Sequence, residues 1–337
     1  MKILLIKHKN IGDVLLSTPL IKRLKEIYPA AKIDFSTNDF CTEVLSKNPD
    51  ISNIYTKNIF DTLRVASNGY DLTICLSQGN GSAITACLSR ATKKVGFTPK
   101  SSFLHFCLDR HIERVFPLHT AQIDLELLRL LGHEPMGAVV TSSWDNSDKA
   151  KIDEIISKNS LRKYVVLHPV SRWMFKCWRD EYFAAVIDHI QLRLGLQVVI
   201  TASDEPKELD KVSNIIAQCS TTPISLAGEL SLSELAYLYS RAKLFVGVDT
   251  APMHIAASVN IPVIALFGPS EPAIWGPWDN TTNQQYEPIA KIQKTKLHTI
   301  VQNGFGEIKL DESGNKYSTA LFDIEPNIVI SEIEARL

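Results

Sequence analysis

No two cysteines stand at C-x-x-C spacing; the six present, Cys41, Cys75, Cys87, Cys107, Cys177 and Cys219, are scattered, several inside apolar runs. That argues against a disulfide frame or a thiolate zinc site and for a reducing, cytoplasmic compartment. No apolar run approaches the roughly 18 residues that a membrane span requires. The opening run Met1-Lys-Ile-Leu-Leu-Ile6 is cut off by Lys7, His8 and Lys9, and so reads as a strand and not as a targeting segment. Charge of one sign is also missing: the net charge is −1, which leaves no basic footprint for a nucleic acid. Residues 1–150 hold 18 Lys and Arg against 15 Asp and Glu, and the remainder 18 against 22; an excess of three charges fits a solvated face first and an anionic surface or acceptor second. Neither G-x-G-x-x-G nor G-x-x-x-x-G-K-[ST] occurs, which removes support for a dinucleotide dehydrogenase or a P-loop enzyme. Asp13, Asp249 and Glu271 come from separate segments without an adjacent histidine pair, so no metal site is expected.

What is present is an alternation of buried strands and amphipathic helices. At 337 residues the chain exceeds what one core usually serves, and two domains are expected. Strands are read at 3–6, 32–36, 51–55, 70–76 and 94–97 in the first half, then at 164–168, 197–201, 224–228, 244–248 and 261–267. Helices lie between them, and residues 98–120 read as an irregular loop before a helix over 122–131. This pattern predicts an α/β protein with two doubly wound, Rossmann-like domains facing a central cleft. The polar text from 136 to 161 places the boundary near 155. The expected parts are a first domain over 1–155, a second over 156–325, and a final helix in 326–337 that returns to the first domain.

Three stretches carry candidate chemistry. Gly12-Asp13 follows the first strand, where a turn carboxylate can take a proton from an incoming hydroxyl or can merely cap its helix. In His168-Pro-Val-Ser-Arg-Trp-Met-Phe-Lys-Cys-Trp178, the cations Arg172 and Lys176 can neutralise a diphosphate, or can stay solvated while the aromatics pack. Leu244-Phe-Val-Gly-Val-Asp-Thr-Ala-Pro-Met-His254 runs from a buried strand through Asp249-Thr250 into a helix start, the arrangement that favours an anion. The turns at Ala202-Ser-Asp-Glu205 and Leu226-Ala-Gly228 end strands on the same side, where a base and ribose can lie; ordinary turn chemistry also accounts for both.

Taken together, Gly12-Asp-Val-Leu-Leu-Ser-Thr-Pro19, Gly247-Val-Asp-Thr-Ala-Pro-Met-His-Ile-Ala-Ala257 and Ala265-Leu-Phe-Gly-Pro269 resemble the ADP-heptose:lipopolysaccharide heptosyltransferases of glycosyltransferase family 9. Phe175-Lys-Cys-Trp178 and Ile274-Trp-Gly-Pro-Trp278 are most similar to the family's type III members, which add the branch heptose of the inner core. The resemblance implies a GT-B fold with the nucleotide sugar held mainly by the second domain. It implies inverting transfer of L-glycero-D-manno-heptose from ADP-heptose to a heptose of the lipopolysaccharide core, without a cofactor. Asp13 then resembles the general base and Lys176 the diphosphate-binding lysine. Ser171, Arg172, Ser203, Glu205, Leu226, Ala227, Gly228, Asp249, Thr250, Ala251, Met253 and His254 fall on the donor side, and Lys9, Asn10 and Gly12 on the acceptor side. Lys9-Asn10 stand where many relatives carry hydroxyl residues, which implies a different acceptor choice; Val170 stands beside Ser171 where relatives often have a second hydroxyl. The implied location is the cytoplasmic face of the inner membrane, held reversibly by basic residues of the first domain. Another acceptor or sugar nucleotide within the family, or a nucleotide-sugar-binding module without catalysis, are the alternatives.

Overall fold

The computed structural model describes residues 1–114, 117–282, 285–311, 314 and 316–337. Contacts divide the chain into two compact units, Met1–Ser143 and Trp144–Leu337.

The first unit is built on six strands: β1 (Lys2–Ile6), β2 (Lys32–Ser36), β3 (Ile51–Tyr55), β4 (Leu72–Cys75), β5 (Lys93–Phe97) and β6 (Arg110–Ile112). They pair in parallel in the order β3-β2-β1-β4-β5-β6. Successive residues of a strand point to opposite faces, and a central strand covered on both faces must be apolar at every position. β1 obeys this rule: Ile3 and Leu5 enter one core cluster, Leu4 and Ile6 the other. Two segments depart from the sequence reading. The stretch expected to be irregular contains β6, a three-residue edge strand too short and too polar to register as a periodic signal. The helix expected over 122–131 begins as an α-turn at Thr120–Ile123 and tightens into 3-10 geometry over Asp124–Leu131.

The second unit repeats the plan with β7 (Tyr164–His168), β8 (Gln197–Ile200), β9 (Ile224–Ser225), β10 (Leu244–Val248), β11 (Val263–Phe267), β12 (Gln293–Lys294) and β13 (His298–Gln302). The order is β12-β13-β11-β10-β7-β8-β9, parallel except for the antiparallel edge strand β12. Counted from its own first strand, the first sheet has the doubly wound order 3-2-1-4-5-6 and the second 3-2-1-4-5-7-6, so both share the order 3-2-1-4-5. The expected pair of Rossmann-like sheets is therefore the observed architecture. In such sheets a crevice opens at the carboxyl ends of the first and fourth strands, where the crossovers reverse direction.

The units meet between Ser143 and Trp144, ahead of the position near 155 expected from the polar text. Within that text Asn146–Lys158 is a helix closed by a capping box between Asp145 and Asp148. Lys151 Nζ donates to Glu234 Oε2 at 2.8 Å and Ser233 Oγ to Asp148 Oδ1 at 3.1 Å, which ties the helix to the second unit. Only Ile152 among its apolar residues is buried. The final helix, Pro326–Glu334, packs on the helix Asp180–Leu192 within the second unit. Val329 and Ile333 complete the second unit's core. Arg336 fixes the end by donating to Thr299 Oγ1 and to the carbonyls of Thr295, Lys296 and His298 at 2.7–3.0 Å.

One glycine is required by the crevice of the second unit. A Cβ on Gly247 in β10 would lie 2.7 Å from the His168 carbonyl of β7 and 2.8 Å from the Phe245 ring. Gly247→Ala should therefore cost about 1–3 kcal/mol as an overpacked core position. The check is urea unfolding: a lower midpoint with unchanged slope is expected, and an unchanged midpoint would show that the strand pair can move apart freely.

Candidate active site

In the first unit β1 ends at Ile6, and the next three residues turn over the crevice. Lys7 points inward: its Nζ lies 2.5 Å from Asp124 Oδ2, and both side chains are 2 % exposed. Burial pushes the Asp124 carboxyl above the usual carboxylate range, against the pull of Lys7 and Arg114. Breaking such a pair leaves an uncompensated buried charge, so it pins the turn. His8 bridges neighbouring elements, with Nε2 3.0 Å from Ser36 Oγ and Nδ1 3.1 Å from Ser82 Oγ. Its burial, aided by Lys57, lowers its pKa to about 4, so the ring is neutral near pH 7.

Past this turn Asn10 caps a short helix, Ile11–Leu15, that carries Gly12 and Asp13 in its first turn. Asp13 is half-buried and faces a hollow of about 140 Å³. Lys7, His8, Lys9, Gln78, Gly79, Lys100 and Arg114 share its lining, and Gly79 caps the helix Asn80–Leu88. Asp13 is thus one carboxylate among four cations, at the crevice that the strand order predicts. Lys9 joins it there, while Asn10 and Gly12 serve the backbone around it. Lys100 and Arg114 escaped the sequence reading because both lie in the segment read as loop or beside it. Lys7 and His8 had a signal, their place directly after the first strand.

The second unit builds the matching crevice from β7 and β10. After β7 the chain passes Ser171, which is buried, and Arg172, which is exposed, into the 3-10 turn Met174–Lys176. Lys176 Nζ then meets Asp249 Oδ2 at 2.5 Å, just past β10. Asp249 is nearly buried and Lys176 about a quarter exposed, so the ammonium edge of the pair faces outward. Thr250 stands at the N-cap of the helix Ala251–Ser258, where Pro252 brings no N–H and Met253 N donates to the Thr250 carbonyl at 3.1 Å. Met253 and His254 are buried in that helix. Met253 is fully enclosed in that helix. His168 is held by Thr201 Oγ1 at 3.0 Å, itself 3.0 Å from the Tyr239 hydroxyl, and burial lowers its pKa to about 3.

The outer turns adjoin each other. Gly228 N donates to the Ala202 carbonyl at 3.1 Å, and a Cβ on Gly228 would meet Asp204 at 3.4 Å. Leu226, Ala227 and Gly228 thus form one ledge with Ser203 and Glu205. Ser203 Oγ is engaged by Glu208 Oε2 at 2.7 Å, and Glu205 caps the helix Pro206–Gln218. Among the described residues no group of three His, Cys, Asp or Glu is placed to hold a metal ion.

Two doubly wound sheets, one with cations around a carboxylate at its crevice and the other with a lysine at a helix start, are the architecture of a glycosyltransferase. Residues 62–303 match the pattern of glycosyltransferase family 9 (heptosyltransferase). The chain is 33% identical over 290 residues to lipopolysaccharide heptosyltransferase 3 of Escherichia coli, covering 81% of this chain and 85% of that one. The strain K12 protein of the same name is 34% identical over 291 residues, covering 79% and 82%. In structure, a glycosyl transferase family 9 protein from Veillonella parvula superposes with a TM-score of 0.83 at 22% identity, over 99% of this chain and 96% of the other. E. coli ADP-heptose lps heptosyltransferase II superposes with a TM-score of 0.76 at 23% identity, over 99% and 98%. The chain belongs to glycosyltransferase family 9, the heptosyltransferases, and has their fold.

The two crevice histidines generate a pH dependence. Each stays neutral in the fold but takes a proton near pH 6.5 when unfolded. The unfolded chain therefore binds more protons below that pH, and stability is full above it and lost as pH falls toward about 4. The expected slope is about 1.4 kcal/mol per pH unit for each histidine. Urea midpoints at pH 7 and pH 5 check it; equal midpoints would mean that these rings titrate normally.

Proposed function

We propose that the chain transfers a heptose from ADP-heptose to a hydroxyl of the lipopolysaccharide inner core, as a branch-adding enzyme. The observation that carries the reading is the pairing of Lys176 with Asp249 at a helix start in the second unit. It is supported by two relatives named lipopolysaccharide heptosyltransferase 3 and by a solved family structure, E. coli heptosyltransferase WaaC with ADP-2-deoxy-2-fluoro heptose.

The acceptor half of the reaction is assigned to the first unit. A sugar hydroxyl beside Asp13 gives its proton to that carboxylate as its oxygen attacks the anomeric carbon of the donor. The cations around Asp13 suit an acidic core oligosaccharide. The donor half is assigned to the second unit. The bond between the anomeric carbon and the diphosphate oxygen breaks, and the charge growing on ADP is met by Lys176 and the helix start at Thr250. Attack from the face opposite the leaving diphosphate inverts the anomeric centre. Asp249 cannot itself face the diphosphate, since like charges repel; it holds Lys176 in place and can accept from a sugar hydroxyl. The ledge of residues 203–205 and 226–228 is assigned to the nucleoside. No helix among the described residues is long and apolar enough to cross a membrane. We assign the site of action to the cytoplasmic face of the inner membrane, where a lipid-anchored core can be reached from solution.

Asp13→Asn should lower kcat by about 10²–10⁴-fold, as loss of a general base does, with ADP affinity nearly unchanged in titration calorimetry. Near-normal turnover would remove Asp13 from the reaction. Retained ADP-heptose binding without turnover in the unaltered chain would favour a binding module instead.

Lys176→Ala should weaken ADP binding by roughly 10–100-fold, the worth of a charge-assisted hydrogen bond, and lower kcat further, because the same ammonium meets ground-state and developing charge. An unchanged ADP affinity would place the diphosphate elsewhere.

A further inference from the structure

Three elements of the first unit form one layer over one face of its sheet: the helix Ile59–Ser67, the helix Asn80–Leu88 and the 3-10 turn Ser102–Cys107. Beneath them lies a shared core, in which Leu4 and Ile6 of β1 meet Val65, Ala86 and Leu108. The middle helix touches both of its neighbours. A layer of this sort normally turns polar side chains to water. Here the outer side chains are apolar: Ile59, Phe60 and Leu63, then Ile84 and Leu88, then Phe103 and Phe106. Phe60 is 72% and Phe103 80% exposed, so these are not half-covered core residues. The spacing puts each set on one side of its element, four apart for Ile84 and Leu88. Phe103 and Phe106 eclipse at the three-residue repeat of a 3-10 turn, with ring centroids 6.0 Å apart. An exposed apolar patch of this extent marks a contact surface.

Charge says what the surface meets. Between residues 57 and 107 the chain carries Lys57, Arg64, Arg90, Lys93, Lys94 and Lys100 against Asp61 and Asp71. Asp61 is engaged locally, accepting from Thr56, Asn58 and Arg64. Lys94 is paired with Asp109, 3.9 Å away, and the segment remains basic. A basic segment that carries an apolar ridge suits an anionic lipid surface, where the hydrocarbon enters the acyl boundary and the cations stay at the headgroups. A two-fold contact with a second copy would bring like charges together. The face also adjoins the cationic hollow: Gln78 and Gly79 line the hollow immediately before the middle helix, and Lys100 lines it just before the 3-10 turn.

We propose that this layer is a membrane-insertion face that seats the first unit on an anionic bilayer and so presents a lipid-anchored acceptor to the adjoining hollow. The idea rests on transfer to a lipopolysaccharide core, and it replaces attachment by basic residues alone with attachment that is mainly apolar. The two differ in their response to salt, because screening weakens charge contacts and leaves hydrocarbon burial intact.

The test is co-sedimentation of the full chain with mixed phosphatidylethanolamine and phosphatidylglycerol vesicles, without substrates, at about 0.1 M and about 1 M salt. The unaltered chain should remain bound at both. Phe103→Ser with Phe106→Ser should lower its partition coefficient by roughly tenfold or more, from lost side-chain burial. Phe60→Ser with Leu63→Ser should do the same from the opposite edge of the layer. Unfolding midpoints, and turnover with a delipidated soluble acceptor, should stay unchanged in both variants. Release of the unaltered chain by high salt, or a dimer in sedimentation velocity that the same substitutions abolish, would overturn the insertion face. Absence of heptose transfer to any soluble acceptor would instead overturn the transferase reading, while the vesicle measurement still decides this one.

Discussion

In both units the crossover connections reverse direction between the first and fourth strands of the sheet, and everything functional follows from that reversal. Helices leave β1 and β4, or β7 and β10, toward opposite faces, so the chain cannot close over the carboxyl ends of those strands. The opening is filled by turn residues whose backbone is held at both ends by a rigid sheet. Functional side chains placed there inherit the precision of the strands. The cost is close approach: β10 can lie against β7 at this point only because Gly247 has no side chain to place between them.

The two crevices use charge in opposite ways. In the first unit the ion pair is buried and structural: Lys7 and Asp124 neutralise each other below the surface, and the remaining cations Lys9, Lys100 and Arg114 surround Asp13. In the second unit the ion pair is itself at the surface, and Lys176 is oriented by Asp249 and only partly covered. The first arrangement attracts an anion to a carboxylate; the second presents a single oriented cation beside a helix start. Both use a histidine kept neutral by burial as an uncharged strut, so neither site gains a further proton-binding group near neutral pH.

Much of the architecture was legible in the sequence, and the limits have physical causes. Strands such as Leu244–Val248 are apolar throughout because both faces are covered, and such runs announce themselves. Asp249 stood out because it directly follows β10, and Asp13 and Lys176 because they lie in the segments that leave β1 and β7. β6 and β13 were not: the first is three residues long, and the second has its apolar run broken by the buried polar residues His298, Thr299 and Gln302. The Lys7–Asp124 pair joins residues far apart in the chain, which no local pattern encodes. The boundary near 155 was placed too late because the helix at 146–158, with one buried apolar residue, is held to the second unit by a capping box and the Lys151–Glu234 pair and not by an apolar stripe. The final helix has an apolar stripe, but a stripe does not name the surface it will cover.

That the core of the second unit takes in Val329 and Ile333 bears on how the protein is made. A chain leaving the ribosome has all of the first unit's strands by Ile112 and its closing 3-10 turns by Leu131. The second unit lacks part of its interior until the Pro326–Glu334 helix emerges, on the order of ten seconds or more later at ordinary rates of synthesis. During that interval the helix Asp180–Leu192 has its partner surface bare, while the first unit is already able to fold. The first unit thus matures first, and the second unit is the one whose exposed apolar surface chaperones have time to meet.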